Sequence, residues 1–375
     1  MPIKRKQISG ILTDLEKKMV IIVGPRQVGK TWIAKEIMKG FSRTQYLNWD
    51  NPQDRLIIKK AEFPQTLELL VLDEIHKMRN WKSFVKGIYD TKPANMRILI
   101  TGSAKLNALK KVGDAMTGRY FAHRILPLSI AELRGTAYED NLERLLDRGG
   151  FPEPFLAESE TDVQRWHNQY IENNIRTEVL DFASVQDLSA MADVIKILRT
   201  RVGSPLSYKN IADDIGISSL TVKRYIHILE DLHLVFIVRT YTKKIARAIK
   251  KEPKIYFYDA GLVVDPAARF ENFVALALLK HSFYLHDMKG INMQVAYVRT
   301  KEDREVDFAL IIDDELQELI EVKTSDTTAA ASLQYYHKRL NVPVTQVVKD
   351  MRHAELSSNE VRIVRAQEFL KHLAL

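Results

Sequence analysis

Cysteine is absent from all 375 residues, which excludes disulfides and thiolate metal sites. Long apolar runs are missing as well. The longest, FVALALL (273–279), falls far short of the roughly 20 residues that cross a bilayer. The opening MPIKRKQISG carries positive charge with no apolar segment behind it, so it does not read as a secretory signal. These absences lead us to expect a cytoplasmic chain. Acidic residues are the minority charge: 48 Asp and Glu against 56 Lys and Arg leave a formal +8, which suits a polyanionic partner. With 46% hydrophobic and 28% charged residues the composition is that of a globular protein, and the length suggests two to four domains.

What is present begins with MVIIVGPRQVGKTWIAKEIM (19–38), an apolar strand, a Gly-containing loop and a helix. Gly24 to Thr31 fit G-x-x-x-x-G-K-[ST] in the strand–loop–helix setting that a phosphate-binding loop requires. Gly24 and Gly29 let backbone N–H groups close around phosphate oxygens, with Val28 and Trp32 flanking the nucleotide contacts. Lys30 is expected to reach the β- and γ-phosphates and Thr31 to ligate Mg²⁺. A second apolar strand, LELLVLDEIHKM (67–78), ends in Asp73 and Glu74, suited to holding Mg²⁺ and polarising the attacking water. A third, RILITGS (97–103), ends in Thr101 and Ser103, placed to sense the γ-phosphate. RILPLS (124–129) is expected as a fourth. Short strands alternating with helices argue an α/β fold with a doubly wound parallel sheet. Arg119, before that last strand, is the candidate arginine finger, with Arg124 and Arg134 competing.

GPRQVGKT, LDEIHKM, ITGSA and GGFPEP (149–154) together resemble the prokaryotic AAA+-type ATPases whose C-terminal half is nuclease-like, over essentially the whole chain. The resemblance implies an ATP-dependent, ring-forming or nucleotide-gated enzyme. In AAA+ proteins a small helical lid follows the core, which assigns 1–135 to the ATPase core and the helical stretch 136–200 to the lid.

From Ser207 to Tyr241 the pattern is that of a helix-turn-helix. Small Ala212 lets two helices approach, Gly216 takes the turn between them, and LVFIVRTY reads as a wing strand. This winged helix is assigned to 201–255. Its second helix offers Ser219, Lys223 and Arg224 to DNA. TKKIARAIKKEPK adds Lys243, Lys244, Arg247, Lys250, Lys251 and Lys254, a basic stretch fit for sequence-blind backbone contact.

The last domain, 256–375, is a mixed α/β pattern. An apolar helix begins at Glu271, and DREVDFALIIDDELQELIEVKTS (303–325) reads as two strands joined by an acidic turn. Asp307 and Glu321 fall on neighbouring strands, and with Glu271 they offer Mg²⁺ hard oxygen ligands. Lys323 would orient the attacking water. The set resembles the PD-(D/E)xK nuclease superfamily, implying a restriction-endonuclease-like fold.

The combined expectation is an ATP- and Mg²⁺-dependent DNA motor, a homo-oligomer such as a hexamer, acting on duplex or branched DNA. An ATPase core followed by a winged helix also resembles the Holliday-junction branch-migration motor. An ATP-gated, Mg²⁺-dependent DNA nuclease and a nucleotide switch acting on a protein partner are the alternatives.

Overall fold

The computed structural model describes residues 3–102, 116–173, 187–241, 251–300, 302, 304–358 and 360–373. They form two compact units, 2–126 and 127–375.

In the first unit, strands β1 (Met19–Val23), β2 (Thr44–Asn48), β3 (Leu69–Asp73), β4 (Arg97–Gly102) and β5 (Tyr120–Arg124) form a sheet of order β2-β3-β4-β1-β5 among the described residues. Every pairing in it is parallel. All five residues of β1 and of β3 are buried, as expected where helices cover both faces and strands read as unbroken apolar runs. The helices are α1 (Gln7–Leu15), α2 (Lys30–Met38), α3 (Pro52–Lys60) and α4 (Trp81–Thr91). Met19, Ile21 and Val23 alternate onto one face of the sheet, where Trp81, Val85 and Ile88 of α4 share their core. The fourth expected strand is shifted. It occupies Tyr120–Arg124 rather than 124–129, because YFAHR takes the register beside β1 and Pro127 has no N–H to continue a ladder.

The second unit opens with helices, as the polar-faced pattern of 136–200 predicts: α5 (Leu142–Arg148), α6 (Pro152–Leu156), α7 (Glu160–Asn173) and α8 (Leu188–Thr200). Then come α9 (Tyr208–Ile215) and α10 (Ser219–Asp231), joined at Gly216, whose φ of 79° is left-handed and whose N–H bonds Ala212 O at 2.9 Å. Ser207 and Ser218 cap the two helices. β6 (Val235–Thr240) pairs antiparallel with β7 (Lys254–Phe257), so a hairpin does follow the helix pair.

That hairpin does not end at a domain boundary. β6 also pairs parallel with β8 (Met293–Arg299), so β6 and β7 enter one sheet with β9 (Glu305–Ile312), β10 (Glu315–Lys323), β11 (Val344–Val348), β12 (Glu355–Ser358) and β13 (Val361–Arg365). Its order among the described residues is β12-β13-β11-β10-β9-β8-β6-β7. The division expected at 255/256 therefore falls inside a continuous hydrogen-bonded sheet. The helix expected from Glu271, α11, runs from Pro266 to Tyr284, because Asp265 accepts from Ala268 N–H and Pro266 occupies the first turn. Helices α12 (Ala331–Leu340) and α13 (Ala366–His372) complete the unit.

Candidate functional site

The loop between β1 and α2 has the shape that its glycines foretell. A Cβ on Gly24 would lie 2.1 Å from the carbonyl oxygen of Ile125, so only glycine allows the strand to turn there. Gly29 sits at the cap of α2, whose first N–H groups are unclaimed by the helix itself and form a ready anion site. Lys30, 7% exposed, donates to the loop carbonyls of Gly24 at 3.0 Å and Pro25 at 2.6 Å. Val28 is buried and Trp32 half-buried beside this loop.

Asp73 is the hub of the site. It is 3% exposed, at the end of β3, and gathers hydroxyl donors from three elements. Thr31 Oγ1 donates to its Oδ2 at 3.0 Å, Tyr46 Oη donates to the same oxygen at 2.5 Å, and Thr101 Oγ1 donates to Oδ1. Sheet order explains the convergence. β4 lies between β1 and β3 and pairs Thr101 with Asp73, while β2 flanks β3 on the other side and supplies Tyr46. The donor set fits a Mg²⁺–nucleotide: hard oxygens from a hydroxyl and a carboxylate stand beside a lysine and open helix N–H groups. Tyr46 was not legible as a site residue, because nothing in TQYLN marks an aromatic on a strand remote from the loop. Burial, with the Asp73 bond, raises its pKa well above the usual tyrosine value.

Glu74 follows in a left-handed conformation, φ 56°, with its N–H on Thr101 O at 3.0 Å. Such a backbone costs a non-glycine residue energy and recurs at functional sites. Burial raises its carboxyl above the ordinary range. Arg119 lies elsewhere. It precedes β5 at the edge of the sheet where Met19 begins β1, opposite the phosphate loop, and forms a fork on Asp90 at 2.8 and 3.3 Å. Arg124 pairs with Val23 in register and so ends its strand at the loop edge. Ser103 lies outside the described residues.

On α10 the buried residues are Val222, Tyr225, Ile226, Ile228 and Leu229. Ser219, Leu220, Lys223 and Arg224 are exposed near its start, with Leu220 75% exposed. Lys251 is exposed too, while Lys243, Lys244, Arg247 and Lys250 lie outside the described residues. Lys254, read above with this basic stretch, faces the other way. It is 1% exposed, inside the second unit.

There it meets the carboxylates. Lys254 Nζ lies 2.7 Å from Glu305, 3.3 Å from Asp307 and 3.4 Å from Glu271. Tyr256 Oη donates to Glu271 at 2.7 Å, and Val322 N–H donates to Asp307 at 3.0 Å. Glu321, one step beyond the Ile320–Phe308 pair and so opposite Asp307, takes Lys323 Nζ at 2.7 Å. Its Oε2 is buried with no hydrogen-bond partner. Burial, reinforced by Asp307, raises Glu271 to about 8 and Glu321 to about 7. For Lys254 burial opposes the charge, but Glu271, Asp307 and Glu305 outweigh it and the pKa rises. The hairpin thus brings Asp307 and Glu321 together as their spacing predicts. What the sequence hid is the lysine among them, 17 residues before Glu271 in the chain and 53 before Asp307. Among the described residues no three His, Asp or Glu side chains converge as a metal-holding group.

Residues 16–134 match the family model described as an AAA domain. Residues 139–271 and 267–369 match two domains of unknown function, DUF8612 and DUF4143. An uncharacterised protein of Mycobacterium tuberculosis is 24% identical over 298 residues, 77% of this chain and 66% of that one. The chain thus spans just under two thirds of that relative. An uncharacterised protein of Haemophilus influenzae is 23% identical over 324 residues, 76% of this chain and 80% of that one. Among solved structures, a Walker-type ATPase of Pyrococcus abyssi matches with 14% identity and TM-score 0.43, covering 71% of this chain and 95% of that one. Thermotoga maritima RuvB matches with 16% identity and TM-score 0.32, over 66% and 93%. At these scores the likeness is too loose to carry any detail of site or partner. The AAA match and the Lys30–Thr31–Asp73 geometry agree that residues 16–134 are a P-loop domain of AAA type.

Proposed function

We propose that the protein hydrolyses ATP at the P-loop and uses the cycle to act on DNA, duplex or branched, as a homo-oligomer. The observation that carries the ATPase reading is the 3.0 Å bond between Thr31 Oγ1 and Asp73 Oδ2, which sets side by side the two groups that would hold Mg²⁺. Thr31 and Asp73 would hold Mg²⁺ there, and the ion would supply charge to offset the phosphates. Lys30 swings from the loop carbonyls to the phosphates, and Thr101 keeps Asp73 oriented. Glu74, raised by burial, accepts a proton from the attacking water. Arg119 acts on a neighbouring subunit's nucleotide, which requires it to leave Asp90.

DNA engagement is assigned to the exposed start of α10 and the basic stretch through Lys251. Support comes from the excess of positive charge and from the helix-turn-helix with its hairpin. Movement of a four-way junction is the most specific form of this reading. The test is an end-labelled four-way junction incubated with protein, ATP and Mg²⁺, and run on native and denaturing gels. Separated strands of full length, absent with Lys30→Ala, are the expected result. Shortened strands that vanish with Lys323→Ala would replace the motor with an ATP-gated nuclease. Phosphate release indifferent to DNA at low salt would favour a switch acting on a protein partner.

A further inference from the structure

The nuclease-like arrangement of Glu271, Asp307 and Glu321 calls for a divalent cation, and the residues present do not fit one. The position between Glu271 and Asp307 is taken by an ammonium. Lys254 Nζ touches three carboxylates from two elements, at 2.7, 3.3 and 3.4 Å, distances suited to charged hydrogen bonds. Mg²⁺ in the same place would need near-octahedral oxygens at about 2.0–2.1 Å. It would also face a full positive charge within a few ångströms. Three further contacts occupy the same carboxylates, while the buried Oε2 of Glu321 has no hydrogen-bond partner. Glu271 takes the Tyr256 hydroxyl at 2.7 Å, Asp307 takes the Val322 N–H at 3.0 Å, and Glu321 takes Lys323 at 2.7 Å.

Lys254 is not a surface lysine that has folded in by chance. It lies on β7, all four of whose residues are buried, and its ammonium sits 5.4 Å from the centre of the Tyr297 ring. A buried lysine is costly unless paired, and so is a buried carboxylate. Each therefore accounts for the other.

We infer that Lys254 is the resident cation of this cluster, which replaces a divalent metal and pins the return strand of the β6–β7 hairpin to α11 and β9. The cluster is a metal-independent charge core.

The test is Mn²⁺ titration of the full chain, followed by electron paramagnetic resonance of the free ion. An Asp73→Asn background removes the P-loop metal position. Expected is no saturable site in that background, and one new site once Lys254→Met is added. The comparison with Asp307→Asn decides the matter even if Lys254→Met fails to fold. A saturable site that Asp307→Asn abolishes would overturn the inference. A site that survives Asp307→Asn lies elsewhere and leaves the cluster metal-free, as inferred. ATP turnover is not the readout, so failure here is separable from failure of the ATPase reading.

Discussion

In the proposed ATPase the hydrolysis chemistry falls to single side chains, and their removal is expected to be felt in rate more than in fold. Lys30→Ala takes away the one P-loop ammonium and should lower ATP turnover by about 10²–10³-fold, measured as phosphate release at saturating nucleotide. Tyr46→Phe is a milder change with a distinct signature. It removes one of three hydroxyl donors from buried Asp73 while keeping the ring, so the first unit should lose about 1–3 kcal/mol in denaturant unfolding. Turnover should demand more Mg²⁺, because Asp73 is then less firmly oriented. A variant with unchanged midpoint and Mg²⁺ dependence would show Tyr46 to be a bystander.

Helix α10 and the carboxylate cluster make their cases at the scale of elements. On α10, Lys223 and Arg224 are exposed beside buried Val222, Tyr225 and Ile226, with the Arg224 guanidinium 5.8 Å from the centre of the Tyr225 ring. Lys223→Glu with Arg224→Glu should weaken DNA binding across sequences. For every phosphate that the helix no longer neutralises, the slope of log K against log salt should become shallower by about 0.9. Basal ATP turnover should not change. In the cluster, Glu271 has its pKa raised from 4.5 to about 8 by burial and Asp307. The folded state thus holds a proton that the unfolded chain releases near 4.5. The resulting stability is fully present below that pH and is lost as pH rises towards 8. Thermal midpoints of the second unit should fall across this window, and Glu271→Gln, which never ionises, should make the profile shallower, leaving the part due to Glu321, raised to about 7.

At the scale of the whole molecule, two units with separate sheets carry separate cores. A non-hydrolysable ATP analogue with Mg²⁺ should stabilise the first unit by about 2.7 kcal/mol at a hundredfold excess over Kd, and calorimetry should show the nucleotide-sensitive transition move upward. Lys30→Ala should cancel that movement. At the same scale, the expected division at 255/256 falls within β7, whose partner β6 also bonds to β8.

The sequence by itself determined the features that local chemistry dictates. A glycine-framed loop between an apolar strand and a helix admits few conformations, so GPRQVGKT, with LDE beyond it, marked the P-loop and the strand end proposed to face it, and the fold brings Thr31 onto Asp73. The Ala212–Gly216 spacing announced α9 and α10 for the same reason, and the apolar stretches on either side of an acidic turn in 303–325 announced β9 and β10. Only the tertiary structure decided which distant residues share a site. Tyr46 reaches Asp73 because β2 flanks β3, and Lys254 turns from a basic surface stretch into the core because β7 adds to the sheet's buried edge. Strand order and the direction of a long side chain are set by packing between elements far apart in the chain, and no local pattern records them.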